Sequence, residues 1–215
     1  MLHSSIMCAY TEYMKLDFAS LFAILFPPSE DETRVAACTS NSFALKYEPR
    51  MQRGIVSLSS FKDADVRAAL HLNKFHDHHK AQELLGTLLV AYLSSYPRTA
   101  VLIPIPLARA RERSRGYNQV LRVIEHAQAG MSGITLAHKA LIRTRNTRPQ
   151  TSLQKRQRQA NLRDAFELGT EAAVVRGAHV VLIDDVYTTG ATLRAAKSAL
   201  EKGAPASVTC IALAH

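Results

Sequence analysis

Hydrophobic positions recur along this chain in two rhythms. Ala81, Leu84, Leu85, Leu88, Leu89 and Tyr92 follow the i, i+3, i+4, i+7, i+8, i+11 spacing of one helix face, with Pro97 just beyond its end. Asp63 or Asp65 can cap an earlier helix in which Val66, Ala69 and Leu70 share a side. Asn118 can cap another, with Val120, Val123, Ile124 and Ala127 together. Residues 191–202 read as helix too, with Leu193, Ala196, Ala199 and Leu200 inward and Gly203 as the stop. Between the helices, residues 56–61 are expected to form a short strand, and apolar runs at 101–105, 180–183 and 207–213 suit buried strands. Shorter extended pieces are expected at 134–136 and 140–142. Strands alternating with helices predict an α/β fold, a mostly parallel central sheet with helices on both faces.

The first 55 residues are less legible. An apolar run ends at Pro27-Pro28, and an acidic patch, Glu30-Asp31-Glu32, follows. A total of 215 residues suits one sizeable α/β domain with a small appendage. The predicted division is a 1–55 segment and a 56–215 domain.

Hydrophobic residues make up 47% of the chain, enough for a packed core, which excludes a disordered chain. The net charge of +9 favours an anionic partner, and much of the excess is local. Residues 126–163 contain no Asp or Glu but hold Lys139, Arg143, Arg145, Arg148, Lys155, Arg156, Arg158 and Arg163. Three scattered cysteines cannot build a disulfide framework or a four-thiolate zinc site. No apolar run approaches the roughly 20 residues of a bilayer span, and no signal peptide is evident, so a cytoplasmic protein is expected.

The chemistry concentrates in residues 180–192. A branched apolar run leads to Asp184 and Asp185, then Val186-Tyr187, then Thr188-Thr189-Gly190-Ala191-Thr192 and a helix. The two carboxylates are expected just past the strand's carboxyl end, where open α/β sheets bind ligands. The threonine-rich turn sets backbone N–H groups and hydroxyls at the positive end of the following helix, which suits a phosphate monoester. Gly190 permits close approach of the backbone. Carboxylates beside a phosphate cradle need another partner, and a ribose diol or a Mg²⁺ ion bound to it fills that role. The plainer alternative is an ordinary helix cap beside a capped sheet. Neither G-x-x-x-x-G-K-[ST] nor G-x-G-x-x-G occurs, so the usual ATPase and dinucleotide fingerprints are missing.

This order of residues resembles the phosphoribosyl pyrophosphate (PRPP) motif of type I phosphoribosyltransferases. Further segments sharpen the likeness: Pro104-Ile105-Pro106-Leu107, the run 113–119, and then Arg148-Pro149-Gln150, Leu153, Arg156, Asn161-Leu162-Arg163 and Ala165-Phe166. Together they resemble the ComF family of predicted phosphoribosyltransferases, linked to natural competence and DNA uptake, over roughly residues 56–215. The resemblance implies the type I phosphoribosyltransferase fold. It implies that Asp184 and Asp185 hold the ribose hydroxyls, directly or through Mg²⁺, and that residues 188–192 hold the 5′-phosphate. The turn of Pro104, Ile105, Pro106 and Leu107 would meet the pyrophosphate. Residues 140–166 correspond to a hood closing over the site, whose basic residues would meet the leaving group. Arg148 is thereby a catalytic candidate, with Arg113, Arg115, Arg156 and Arg163 as pyrophosphate candidates; for Arg113 and Arg115 the alternative is a solvated helix face.

The chain departs from the family in two places. Family members follow their Phe-Pro with paired C-x-x-C zinc ligands; here Phe26-Pro27 leads to Ser29-Glu30-Asp31-Glu32 and only Cys38 stands nearby. The zinc module is therefore expected to be degenerate or absent, with 1–55 docked on the core or loosely ordered. Thr188 occupies a position where 6-oxopurine enzymes carry an Asp, and threonine is a poor base, so that acceptor class is not supported. His76, His78 and His79 with Asp77 read as a polar inter-helix loop rather than a metal site. Two functions remain: a Mg²⁺-dependent transferase with an unidentified nitrogen acceptor, or a non-catalytic accessory protein of DNA uptake that binds PRPP or single-stranded DNA and meets competence proteins.

Overall fold

Branched side chains from Val180 to Ile183 favour an extended, fully buried strand, and they lie at the centre of the molecule. We analysed a computed structural model, which describes residues 27–96, 99–129, 131–144 and 165–215. Its strands are β1 (Arg50–Gln52), β2 (Ile55–Ser59), β3 (Ala100–Pro104), β4 (Ile134–Leu136), β5 (Leu141–Arg143), β6 (Phe166–Leu168), β7 (His179–Val186) and β8 (Ser207–Ala214). Its helices are α1 (Glu30–Ala37), α2 (Ser40–Ala44), α3 (Ala64–His76), α4 (His79–Ser94), α5 (Arg109–Arg115), α6 (Gln119–Gln128) and α7 (Ala191–Glu201). Six strands form one sheet in the order β1-β2-β8-β7-β3-β4, parallel throughout except for β1 against β2. β5 and β6 form a separate antiparallel ribbon.

Alternation along β7 sorts its side chains between two cores. Val181 and Ile183 pack with α3, α4 and α6, while Val180 and Leu182 pack with α7 and the ribbon. The expected helix face of α4 is buried from Ala81 to Leu89. Asp63 caps α3 by accepting from Asp65 N and Val66 N at 2.9 and 3.1 Å, and Asn118 caps α6. His78 caps α4, its Nδ1 facing Ala81 N at 3.3 Å, and no metal-binding cluster of His, Cys, Asp or Glu occurs among the described residues.

The structure changes three details. The strand holding the acid pair runs on to Val186, because Asp184 and Val186 still pair with Ala212 and Ala214 of β8. Asp184 and Asp185 are therefore the strand's last turn of the pleat rather than a loop beyond it. Ala204, not Gly203, adopts the left-handed conformation after α7, at φ +55°. The acidic patch is the first turn of α1, where Glu30, Asp31 and Glu32 meet the positive helix end and Ser29 and Glu32 form a reciprocal capping box. Val35 of α1 and Phe43 of α2 are buried in the same core as α3 and α4. Residues 1–26 lie outside the described residues, and no described helix is long and apolar enough to cross a membrane.

Candidate functional site

The carboxyl ends of β3 and β7 meet beside one another. Ile105 N donates to Ile183 O at 2.8 Å, so the 104–107 turn is fastened one residue before Asp184. Ile105 and Leu107 are buried, which holds the turn against the sheet edge. From the other side, the Asn118 side chain donates to Ile105 O at 2.9 Å while its Oδ1 accepts from Val120 N and Leu121 N. One side chain thus caps α6 and fixes the turn.

Asp184 and Asp185 leave opposite faces of β7. Asp185 Oδ1 accepts from Val186 N at 2.7 Å and Oδ2 accepts from Gln119 Nε2 at 3.0 Å. Asp184 Oδ1 accepts from Asp185 N at 2.9 Å. Burial, and then the neighbouring Asp185 charge, push the Asp184 carboxyl well above the usual carboxylate range; Arg143 acts in the opposite sense. Each half-buried acid keeps oxygen lone pairs, the ligand type a hard divalent cation such as Mg²⁺ takes.

The turn after β7 carries the phosphate-binding candidates. Thr188 and Thr189 are exposed, and among the described residues the amides of Thr188, Thr189 and Gly190 donate to no protein acceptor. Ala191 N makes only a long contact to Thr189 Oγ1, at 3.4 Å. Gly190 caps α7 at φ +68°, with no side chain bonding to the helix end. A Cβ there would lie 2.5 Å from Ile55 Cδ1 and 2.8 Å from Tyr187 Cε2, so only glycine fits. Arg194 Nη2 donates to Thr189 O at 2.7 Å, which ties the turn to the first turns of α7. The result is a helix N-terminus with unused donors beside an acid pair, suited to a phosphorylated sugar.

Cations border this site. Burial first, then the Arg111 charge, lower the Arg143 guanidinium from its ordinary value, while Asp184 opposes them. Burial is also the main cause lowering Arg115, with Arg111 again contributing and Tyr117 and Asp185 opposing. Arg111 of α5 thus lies within electrostatic reach of both, while Asp184 lies within reach of Arg143 and Asp185 within reach of Arg115, which gives the site a positive rim. Arg143 packs against Phe166 at 5.5 Å across the ribbon. Thr144 N donates to Ala165 O at 3.0 Å, which sets those two residues side by side next to Arg143. Arg148, Arg156 and Arg163 fall in that segment and lie outside the described residues. Arg113 is exposed on α5, a helix with no buried residue.

Arg111 and Gln119 are absent from the site residues singled out in the sequence, whereas Arg143 stands there among the basic residues of the 140–166 hood. Gln119 closes the run 113–119, so the signal was present, but nothing in its type distinguishes it from a surface glutamine. The other members of that run have structural work. Gly116 ends α5 at φ +83°. Tyr117 donates to Asn73 O and accepts from Asp77 N, each at 2.9 Å.

A central parallel sheet, an acid pair at one strand's carboxyl end and a phosphate-suited turn define a phosphoribosyltransferase-type fold, and the family comparison agrees. The Phosphoribosyl transferase domain model matches residues 73–215. Competence protein ComFC of Bacillus subtilis is 38% identical over 53% of this chain and 43% of its own length. Competence protein F of Haemophilus influenzae is 30% identical over 74% and 70%, and DNA utilization protein YhgH of Escherichia coli K12 is 32% identical over 78% and 74%. The chain belongs to the ComF family of type I phosphoribosyltransferase-fold proteins. It spans less than half the length of the Bacillus relative and about seven tenths of the other two.

Proposed function

We propose that this protein binds PRPP and, with Mg²⁺, transfers its phosphoribosyl group to a nitrogen acceptor. The observation that supports this most is the juxtaposition of Asp184 and Asp185, the donor-bearing turn 188–192 and the guanidinium rim of Arg111, Arg115 and Arg143. In this reading the turn amides bind the 5′-phosphate, and the acid pair accepts from the ribose hydroxyls. Asp184 and Asp185 would hold Mg²⁺, directly or through water, and the ion would supply neutralisation of the ribose and pyrophosphate oxygens. The C1–O bond breaks with its electron pair leaving on pyrophosphate, where Arg143 and Arg111 offset the growing charge. The nitrogen lone pair forms the new C1–N bond, and the nitrogen's proton passes to solvent. Asn118 keeps the 104–107 turn at a fixed distance from the acid pair, which limits the motion that would waste orientation.

Calorimetric titration with PRPP and Mg²⁺ tests the binding half. Wild type should bind, and Asp185→Asn should weaken binding about 30-fold or more, the cost of a charge-assisted contact. Pyrophosphate release with a panel of bases and amines tests the transfer half; binding without turnover on any acceptor would remove it.

One observation favours a second reading. Arg109, Arg111, Arg113 and Arg115 crowd a seven-residue helix without a buried residue, and relatives are named for competence and DNA utilization. A non-catalytic accessory protein that binds PRPP or single-stranded DNA during DNA uptake accommodates both. Binding to single strands should then weaken steeply with salt and compete with PRPP. No binding at low salt excludes the DNA form of this reading.

A further inference from the structure

The Gln119 side chain occupies an unusual place for an amide. It is 5% exposed, starts α6, and has both ends engaged: Arg115 Nη1 donates to its Oε1, and its Nε2 donates to Asp185 Oδ2 at 3.0 Å. Partner chemistry fixes its orientation, because a guanidinium only donates and a carboxylate only accepts. Its main chain is held as well, with Asn73 Nδ2 donating to Gln119 O at 3.0 Å. Arg115 is steadied from outside, its guanidinium 5.8 Å from the ring of Phe75. Phe75 is 58% exposed, an apolar exposure that covering Arg115 helps explain. The chain of contacts therefore runs Phe75, Arg115, Gln119, Asp185, from the surface to one half of the acid pair.

We propose that Gln119 is a positioning residue for Asp185, and that Arg115 acts through Gln119 rather than on the pyrophosphate. Asp185 Oδ1 is occupied by its neighbouring amide, and Gln119 is the side-chain donor that holds Oδ2. The amide carries no charge of its own. It transmits Arg115's hold to the carboxylate without neutralising it, which leaves Asp185 able to accept from a sugar hydroxyl. A direct arginine–aspartate pair would occupy those lone pairs. The inference rests on the PRPP-site reading above and adds a division of labour within it: Arg111 and Arg143 face the leaving group, and Arg115 serves the ribose side.

The test uses Gln119→Leu, which keeps the volume and removes both hydrogen bonds, and Arg115→Met, which removes the outer hold at a less buried position. Each is titrated with ribose 5-phosphate and with inorganic phosphate, both with Mg²⁺. Gln119→Leu should lose about tenfold in affinity for ribose 5-phosphate, the scale of one hydrogen bond to a charged group, while phosphate affinity stays within about twofold. Arg115→Met should lose about threefold with the same selectivity. Combining Gln119→Leu with Asp185→Asn should add little to Asp185→Asn alone, whereas combining it with Thr189→Ala should be additive. A merely structural role would weaken both ligands together and give additive losses in both cycles, and that result overturns the inference, as does an unchanged ribose 5-phosphate affinity. Should Gln119→Leu fail to fold, Arg115→Met carries the same test. Wild type that binds inorganic phosphate but shows no gain for ribose 5-phosphate would sink the site reading itself, a different failure.

Discussion

On the α6 face of β7, Asp185 meets two hydrogen-bond donors, an amide side chain and a main-chain N–H. On the α7 face, Asp184 has a single main-chain donor, a carboxyl pushed up by burial and the Asp185 charge, and a half-buried arginine within electrostatic reach. The helices behind the two faces differ as well. Behind Asp185 lies a thick layer of α1, α2, α3, α4 and α6; behind Asp184 lie α7 and the small ribbon. Adjacent residues of one strand thus stand on unlike foundations. One carboxylate is held ready by the fold, and the other is kept under electrostatic strain that a cation would relieve. The comparison predicts that damage to the thick layer away from the acid pair appears as lost stability alone, while changes on the thin side reach the site itself.

The largest effect should come from the thick layer. Phe43 is fully buried, and α2 contributes no residue to the site. Phe43→Ala should destabilise the protein by about 3–5 kcal/mol in urea unfolding. Ribose 5-phosphate affinity of the folded fraction should stay the same. A large loss of affinity per folded molecule would show that the two layers are coupled and blur the contrast.

Gly190→Ala should rank next. It forces a Cβ into Ile55 and Tyr187 at a backbone angle that alanine disfavours, at a cost of about 2–3 kcal/mol. Because the same residue shapes the turn, inorganic phosphate binding should fall with stability, unlike in Phe43→Ala. Retained phosphate affinity would move the 5′-phosphate site away from this turn.

Asp184→Asn should act in the opposite direction. A carboxyl whose folded value is raised is harmless at low pH, where it is protonated in both states. As pH climbs past the ordinary carboxylate range, the unfolded chain ionises first and stability drains away until the folded carboxyl also ionises. Asparagine removes that loss. Near neutral pH the variant should be about 2 kcal/mol more stable, roughly 4–8 °C in Tm, and its advantage should vanish near pH 4. Unfolding followed from pH 4 to 9 checks the sign. Equal stabilities across that range would mean that Asp184 is not under strain.

How far this asymmetry was legible before folding depends on which forces set it. The long helix face of α4, the caps at Asp63 and Asn118 and the branched run of β7 obey local rules, and the structure places them accordingly. The end of β7 did not obey one, because its last residues are held by pairing with β8, a partner distant in sequence. α1 and α2 were missed although Ser29 with Glu32 and Thr39 with Ser42 form capping boxes. Each helix is short and buries one large side chain, so hydrophobic period had little to register. The acid pair and the turn were legible as residue types in order. That the two acids face opposite cores follows from the pleat once the strand is known to continue. Arg143 was legible as one basic residue of the hood, but its pairing with Asp184, like the role of Gln119, became visible only when ribbon and helix brought them to the same strand end.

The smallest effect sharpens the comparison most. Arg143 touches Asp184's side of the site from the ribbon and has its guanidinium over Phe166. If it faces the leaving group, Arg143→Met should lower PRPP affinity about fivefold, near 1 kcal/mol, and leave ribose 5-phosphate within about twofold. Methionine keeps the apolar contact with Phe166, so stability should barely change. Gln119→Leu is expected to weaken ribose 5-phosphate, so the two substitutions together separate the pyrophosphate side of the acid pair from the ribose side. Equal losses for both ligands in Arg143→Met would place its action on Asp184 itself. The thin face would then tune a carboxylate just as the thick face does, and the contrast between the two would narrow to a difference in means.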